Sequence, residues 1–248
     1  MYEEIIKACK YLLHNLPEAQ IYRDYLLNRL SQDSIDKFEF GYFPPGKDLQ
    51  ILSSLVDRKT LSDLNLFYSK EISDYKSHKK LDITFFEKHP IIMSYRDTYN
   101  NCVAMVGRSI LSDKQRNIEK ISKYKNTDFK KRNYLFGLNH AKTHILKQDF
   151  AYIVEGQFDV IKANEKGINN IVAIGNSSLT PYQFSVICRY TNNLHILLDN
   201  DSSGESGRAK IERSYGKYAK IKNVYIPAGY KDIDEYLCQN SAESLSDL

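Results

Sequence analysis

Two short apolar runs in the second half of the chain, each followed directly by an acid, constrain the fold most. Ala151–Val154 precedes Glu155, and residues 195–198 precede Asp199. Continuous apolar runs of this length are typical of strands buried on both faces of a parallel sheet. In such sheets ligands bind beyond the carboxyl ends of the strands, so we expect Glu155 and Asp199 to face one crevice.

Further acids follow the same two strands. Asp201 comes two residues after Asp199, and alternation along an extended segment places both side chains on one side. Gly156 permits a sharp turn from Glu155 into a helix, on which Asp159 lies one turn later. The pattern therefore predicts a concentrated patch of negative charge at one edge of the sheet.

A third acidic group, Asp232 and Asp234, follows a strand-like run at 223–226 and repeats the D-x-D spacing. Clustered carboxylates raise one another's pKa unless a cation neutralises them. A set of ligands composed only of oxygen suits Mg²⁺ or Mn²⁺. Three acidic groups near strand ends thus predict a divalent-metal site, although a single acid in such a loop is more often a helix cap or a solvated residue.

The basic residues are unevenly distributed along the chain. The formal net charge is only +4, but residues 108–147 contain eleven Lys and Arg against three acids. A basic segment beside an acidic, metal-demanding centre suits a polyanion such as a nucleic acid, and a solvated lysine-rich face is the alternative. Arg208 lies on the first turns of the helix expected after Asp201. It could reach the acidic centre, but we expect it to be solvated.

Cysteine usage and hydropathy narrow the class of protein. Four cysteines lie far apart without C-x-x-C spacing, so neither zinc nor a disulfide framework is expected. No apolar run is long enough for a membrane span, and the start of the chain carries acids where a signal peptide has basic residues. We therefore expect a cytoplasmic protein that has no membrane partner.

The acidic motifs resemble those of a known domain. E-G-x-x-D at 155–159, D-x-D at 199–201 and K-D-x-D-E-Y-L at 231–237 look like the Toprim domain shared by DnaG-type primases, topoisomerases and some nucleases. The stretch 175–178, G-N-S-S, resembles the G-T-S loop that primases place between their first two acidic motifs. The resemblance implies a mostly parallel α/β sheet flanked by helices.

Two other segments are similar to those of primases. Residues 25–46 resemble the Y-L-x-x-R-G-L-S-x-x-x-I-x-x-F-x-I-G-Y-A-P segment of primase polymerase domains, which topoisomerases and Toprim nucleases lack. Residues 123–138 resemble the primase run K-Y-x-N-S…F-x-K-x…L-Y-G-L. The chain is therefore similar to the RNA polymerase core of a DnaG-type primase, without its zinc-binding and helicase-binding modules.

This resemblance implies roles for particular residues. Glu155, Asp199 and Asp201 would be catalytic and would hold Mg²⁺ or Mn²⁺, with the other acids of the three motifs supporting a second ion. Those supporting acids are Asp159, Asp232 and Asp234. The residues expected to contact nucleic acid or nucleoside triphosphate are Arg108, Lys123, Tyr124, Asn126, Lys130, Lys131, Asn176 and Ser177.

The expected architecture is a smaller mixed α+β primase N-terminal subdomain at 1–147, a Toprim domain at 148–237 and a short C-terminal tail at 238–248. The implied enzyme is a nucleotidyltransferase, a DNA primase that makes short RNA primers from NTPs on a single-stranded DNA template by two-metal-ion chemistry. A replicative helicase or other replication proteins would be partners in trans. The expected location is the nucleoid within the cytoplasm, or the cytoplasm of the host if a phage encodes the protein. The alternative is a Toprim nuclease or a non-catalytic DNA-binding recombination scaffold.

Overall fold

A computed structural model describes residues 2–74, 77–230, 232–240 and 245 of the chain. The chain divides into two compact units. The first unit comprises Met1–Tyr95 and Cys102–Phe129, and the second comprises Arg96–Asn101 and Lys130–Leu248. Lys231 of the K-D-x-D-E-Y-L motif lies outside the described residues, as does the predicted tail from 241 onward except Leu245.

The first unit combines short helices with a four-stranded sheet and a separate hairpin. Its elements are α1 (Tyr2–Asn15), α2 (Gln20–Leu27), α3 (Gln32–Lys37), β1 (Gly41–Tyr42), α4 (Leu49–Ser53), α5 (Arg58–Asp63), β2 (Phe67–Asp74), β3 (Ser77–Thr84), β4 (Ile91–Arg96), β5 (Cys102–Arg108), α6 (Asp113–Glu119) and β6 (Tyr124–Asn126). The sheet has the strand order β1-β4-β5-β6, and β2 pairs with β3 as an antiparallel hairpin.

Helix α1 shows why these residues fold as they do. Its apolar positions recur at helical spacing, so Ile5, Cys9 and Leu12 fall on one buried face. That face packs against β1 and β5 of the sheet. At Gly41 of β1 the two elements approach so closely that an added Cβ would lie 2.7 Å from the Cβ of Cys9.

The second unit is a parallel sheet flanked by helices. Its elements are α7 (Leu138–Gln148), β7 (Ala151–Val154), α8 (Gln157–Glu165), β8 (Ile171–Ala173), α9 (Pro181–Ile187), β9 (Asn193–Ile196), α10 (Ser202–Tyr215), β10 (Lys220–Asn223) and α11 (Ile233–Gln239). The strand order is β10-β9-β7-β8, and every neighbouring pair is parallel. The predicted α/β fold, with a mixed α+β subdomain before it, is confirmed.

Two strands begin earlier than predicted. The strand predicted at 195–198 is Asn193–Ile196, and the one predicted at 223–226 is Lys220–Asn223. Apolar side chains indicate where the chain is buried, but strand pairing depends on backbone N–H and C=O groups. Asn193 and Lys220 supply these groups as well as any residue and pair with each other. Asp199 therefore lies in a short extended segment after β9, which still donates from the Leu197 N–H to the Ile153 carbonyl at 2.9 Å.

The boundary between the two units also differs from the predicted one at 147/148. Residues 130–147 belong to the second unit, because Leu135, Leu138 and Ile145 are buried in the core of the parallel sheet. The predicted tail starts too early at 238, since α11 continues to Gln239. Within the described residues, no helix combines the length and apolar character that a bilayer crossing requires.

Candidate active site

Glu155 lies directly after β7, at the carboxyl edge of the parallel sheet. Its backbone carbonyl accepts a hydrogen bond of 2.9 Å from the Gly175 N–H, which ties it to the loop after β8. Its Oε1 atom is buried and has no hydrogen-bond partner within the described residues. A buried carboxylate oxygen without a donor is a position that a cation or a proton would stabilise.

The surroundings of Glu155 disfavour its negative charge. Burial raises the pKa of this carboxyl group most, and the charges of Asp199 and Asp201 raise it further. A hydrogen bond from the Asp199 backbone and the positive charge of Arg208 act in the opposite direction. Glu155, Asp199 and Asp201 therefore lie close enough to interact electrostatically, as the sequence predicted.

Asp159 is the most enclosed acid of the group. It lies in the first turn of α8, is 6% exposed and accepts a hydrogen bond of 2.8 Å from the Gly156 N–H. Burial raises its pKa well above the ordinary value, and the nearby charges of Asp232, Asp199 and Asp234 add to this rise. Helix α11, which carries Asp234, packs against α8. Asp159 of the first acidic motif is thus acted on by Asp199 of the second and by Asp232 and Asp234 of the third.

Two of the acids also begin helices. Asp201 Oδ1 accepts from the Gly204 N–H at 2.8 Å at the start of α10, and Asp232 Oδ1 accepts from the Glu235 N–H at 2.9 Å at the start of α11. These caps fix the position of each carboxylate relative to the sheet. The helix-cap reading and the metal reading of the sequence are therefore compatible, because a cap uses one of the two carboxylate oxygens.

The carboxylates of the three acidic motifs are ligands that a hard divalent cation prefers, but they do not form a closed coordination group. No group of three or more His, Cys, Asp or Glu side chains in the described part of the chain is arranged to hold a metal ion. The unpartnered oxygen of Glu155 and the raised pKa of Asp159 show that a cation would relieve an existing electrostatic cost.

Arg208 lies behind the acids, and the expectation that it is solvated is wrong. The side chain on α10 is 2% exposed, and its Nη2 donates to the carbonyl of Leu198 at 2.5 Å. Its guanidinium also lies 4.8 Å from the ring centroid of Tyr225. Arg208 therefore holds the backbone segment that carries Asp199 and supplies positive charge to Glu155.

Two glycines of α10 allow this close packing. A Cβ on Gly204 would lie 2.1 Å from the Asp199 carbonyl oxygen, and a Cβ on Gly207 would lie 2.3 Å from the Ser177 carbonyl oxygen. Glycine inside a helix costs about 1 kcal/mol relative to alanine, so two glycines at this spacing are a sequence signal for close backbone approach. That signal could have identified the contact of α10 with both loops.

The loop at 175–178 is covered by a lysine. Gly175 has φ +75°, and a Cβ there would lie 2.3 Å from Cε and 3.0 Å from Nζ of Lys131. Burial lowers the pKa of this lysine. Lys131 therefore places a cation at the loop that hydrogen-bonds Glu155. Asn176 is exposed, Ser177 is partly buried, and Lys130 is exposed.

The remaining predicted nucleic-acid residues lie in the first unit. Arg108 is 3% exposed, and its guanidinium donates to the hydroxyls of Tyr25 and Tyr124. Lys123 is exposed, and its Nζ lies 5.7 Å from the ring centroid of Tyr124. The Oδ1 atom of Asn126 is buried without a hydrogen-bond partner among the described residues. Arg108 thus orders two tyrosines, which a solvated cation would not do.

Comparison with known proteins defines the class first. A Toprim-like family model matches residues 152–237, which contain the acidic edge. A second model, described as DNA primase catalytic core, N-terminal domain, matches residues 9–142, more than half of the chain. The chain belongs to this DNA primase catalytic-core family.

Individual relatives agree with the family. A DNA primase from Aquifex aeolicus is 27% identical over 254 residues, which cover 100% of this chain and 48% of the relative. The crystal structure of the zinc-binding and RNA polymerase domains of the Aquifex aeolicus primase has a TM-score of 0.75 and 25% identity, covering 99% of this chain and 60% of that one. A DnaG primase catalytic domain bound to single-stranded DNA has a TM-score of 0.73 and 22% identity, and the match covers 99% of this chain and 78% of that one.

Proposed function

We propose that this chain is a primase polymerase core, a nucleotidyltransferase that joins ribonucleoside triphosphates on a single-stranded DNA template. The acidic edge is the observation that carries the proposal. Asp159 of the first acidic motif lies near Asp199 of the second and Asp232 and Asp234 of the third, whose charges raise its pKa, so the three motifs share one electrostatic centre. Membership of the primase core family supports the same reaction. Because the chain spans 48% of the length of its Aquifex aeolicus relative, the activity of the whole relative is part of the proposal.

Mg²⁺ or Mn²⁺ is the proposed cofactor, held by Glu155, Asp199 and Asp201, with Asp159, Asp232 and Asp234 supporting a second ion. When bound, such ions lower the pKa of the primer hydroxyl and stabilise negative charge on the reacting phosphate. The protein contributes the placement of these carboxylates. The caps at α10 and α11 fix two of them, and Arg208 fixes the backbone beside a third.

Cationic and polar side chains are proposed to bind the substrates. In the second unit, Lys131 and the loop at 175–178 would contact the triphosphate, with Lys130, Asn176 and Ser177 beside them. In the first unit, Lys123, Tyr124 and Asn126 would contact the template, and Arg108 would position Tyr124 through its hydrogen bond. Aromatic rings beside lysines suit the stacked bases and phosphates of a single strand. A related catalytic domain is bound to single-stranded DNA in its solved structure, which supports this template.

Replicative helicase or other replication proteins are proposed as partners in trans. Primer synthesis takes place where duplex DNA is opened, so the proposed location is the nucleoid, within the cytoplasm. A pull-down with the purified helicase of the same genome would test this contact. Retention of the helicase on the immobilised chain supports the proposal, and its passage through the column contradicts it.

The decisive experiment measures synthesis on an unprimed single-stranded template with labelled NTPs and Mg²⁺. The wild type is expected to make short RNA, and Glu155→Gln is expected to lose at least about a hundredfold of this activity because it removes a charged metal ligand. Glu4→Gln, which changes an exposed carboxylate of α1, is the matched control. Strand cleavage without synthesis would favour a Toprim nuclease, and DNA binding without either reaction would favour a recombination scaffold.

A further inference from the structure

A cavity lies in the second unit, and none of the six acids of the acidic edge lines it. It is formed by the turn at 97–101, the stretch 133–138 and helix α9, and its volume is about 200 Å³. Leu135, Leu138 and Val186 form an apolar floor that belongs to the core of the sheet. The volume is below the roughly 300–1,000 Å³ of sites for drug-sized ligands, so a single planar group suits it better.

The walls of this cavity are fixed rather than loose. Lys142 Nζ donates to the Thr98 carbonyl at 2.7 Å, and Asn139 Nδ2 donates to Asn100 Oδ1 at 2.9 Å, which attaches the turn to α7. On the opposite side, Gln183 of α9 donates to the Tyr134 carbonyl at 2.8 Å. The cavity is therefore preformed by hydrogen bonds that do not involve a ligand.

Aromatic and cationic groups converge at its mouth. Tyr99 is 79% exposed and Tyr182 is 53% exposed, although both line the cavity. Two arginines, Arg96 and Arg189, also line it. Arg96 is 8% exposed and donates to the Asn100 carbonyl at 2.5 Å, whereas Arg189 is exposed.

One carboxylate, Asp97, is also present, but it is already used. Asp97 accepts hydrogen bonds of 2.9 Å from the N–H groups of Tyr99 and Asn101 and of 3.0 Å from the Asn101 side chain. These three donors orient the carboxylate toward its own turn, but its negative charge remains and interacts with the positive charge of Arg96. The net positive charge of the lining therefore comes from the exposed Arg189.

We propose that this cavity is a nucleotide-binding subsite separate from the acidic edge. The base lies over the apolar floor between the tyrosine rings, and the phosphate is bound by Arg189 with the support of Arg96. The ligand is either a free nucleotide or one nucleotide of a single strand, because both present an aromatic base attached to a phosphate. The stretch 133–138 follows Lys131, which covers the loop at Gly175, so an occupied subsite would stabilise the segment that carries this lysine.

The test separates this subsite from the acidic edge by omitting divalent cations. In EDTA the uncompensated carboxylates repel a nucleotide phosphate, whereas arginines bind it without metal. Fluorescently labelled ADP and a short labelled single-stranded oligothymidylate are titrated separately into the full chain at low salt. Saturable binding of at least one of them is expected, and competition between the two shows whether they share the site.

Two pocket variants and two controls assign the binding. Arg189→Gln and Tyr99→Ser change exposed side chains and should each weaken binding about tenfold, the effect of one lost charge-assisted contact or stacked ring. Arg213→Gln and Tyr218→Ser change exposed residues outside the cavity and should leave the affinity unchanged. Circular dichroism and thermal unfolding verify that all four variants fold.

Each result has a defined meaning. Pocket-dependent binding of ADP identifies a free nucleotide as the ligand, and pocket-dependent binding of the oligothymidylate alone identifies a strand; both support the subsite. Absence of binding in EDTA, or binding that Arg189→Gln and Tyr99→Ser do not weaken, overturns it. Glu155→Gln should keep this metal-free binding, so failure of the proposed polymerase activity would not be mistaken for failure of the subsite.

Discussion

Nη2 of Arg208 donates a hydrogen bond of 2.5 Å to the carbonyl oxygen of Leu198, the residue directly before Asp199. Because the guanidinium is buried, no water can donate to the Leu198 carbonyl in place of Arg208. The same positive charge favours the ionised form of Glu155. One side chain therefore serves both the geometry and the charge of the acidic edge.

Arg208→Met should destabilise the fold and reduce activity. It leaves the Leu198 carbonyl without its donor and is expected to lower the free energy of unfolding by roughly 2–3 kcal/mol, the cost of a buried unsatisfied group. Urea denaturation measures the loss, and primer synthesis at a temperature where the variant is folded measures the effect on the site. Arg213→Met, an exposed arginine of the same helix, should change neither. Equal stability of the two variants would contradict the proposed role.

The position of Arg208 shows where sequence reasoning reaches its limit. Acids after apolar strands could be predicted to meet, because parallel strands place their carboxyl ends at one edge whatever the details of packing. Whether an arginine on a helix is solvated or buried depends on how closely the helix approaches its neighbours. That distance is set by Gly204 and Gly207, where the absence of a side chain lets the helix approach the neighbouring loops. The burial of Arg208 follows only once these two glycines are recognised as contact positions.

The strand boundaries illustrate a second limit. Ala151–Val154 was predicted at its observed bounds because it is apolar throughout and pairs on both sides, with β8 and β9. Strand β10 has the sequence K-I-K-N and lies at the edge of its sheet, so half of its side chains are exposed. An edge strand needs only one apolar face, and the apolar run after it led the prediction three residues too far along the chain.

Gly175→Ala should disturb the loop that Lys131 covers. Gly175 has a φ of +75°, which strains an alanine backbone, and the added Cβ would lie only 2.3 Å from Lys131 Cε. The variant is expected to lose roughly 1–2 kcal/mol of stability from backbone strain and to weaken the use of NTPs by displacing the lysine. Urea denaturation and the KM for NTPs in primer synthesis measure the two effects.

Gly167→Ala is the matched control for that variant. Gly167 has a similar φ of +85°, but nothing lies within 4 Å of an added Cβ. It should therefore show the cost in stability without a change in KM. If both variants raised KM equally, the effect would come from general destabilisation and not from the contact with Lys131.

Asp159→Asn should stabilise the metal-free protein, and the gain should grow with pH. The folded-state pKa of Asp159 is raised by burial and by the neighbouring acids, so the folded state holds the proton more tightly than the unfolded state. The free energy of unfolding of the wild type therefore falls as pH rises from the ordinary aspartate value of about 3.9 through the raised pKa, and the loss remains above it. Asparagine removes this dependence and can still accept from the Gly156 N–H.

Urea denaturation in EDTA between about pH 4 and about pH 8 tests that difference. Asp63→Asn, which changes an exposed carboxylate at the end of α5, should give a nearly constant difference from the wild type over the same range. If the difference in free energy of unfolding between Asp159→Asn and the wild type stays constant or shrinks with rising pH, the folded state does not raise the pKa of Asp159.

Mg²⁺ should raise the thermal midpoint of the wild type and do so less in Glu155→Gln. A cation that binds only the folded state stabilises it by mass action, by about 1.4 kcal/mol at a concentration tenfold above its Kd, which corresponds to roughly 3–6 °C for a chain of this size. Relief of the repulsion among Glu155, Asp159 and Asp199 contributes to the affinity for the ion and is therefore already contained in its Kd. Glu4→Gln, whose carboxylate is exposed on α1, should respond as the wild type does. The same shift in wild type and Glu155→Gln would place the ion elsewhere, because the unpartnered oxygen of Glu155 is the ligand that this substitution removes.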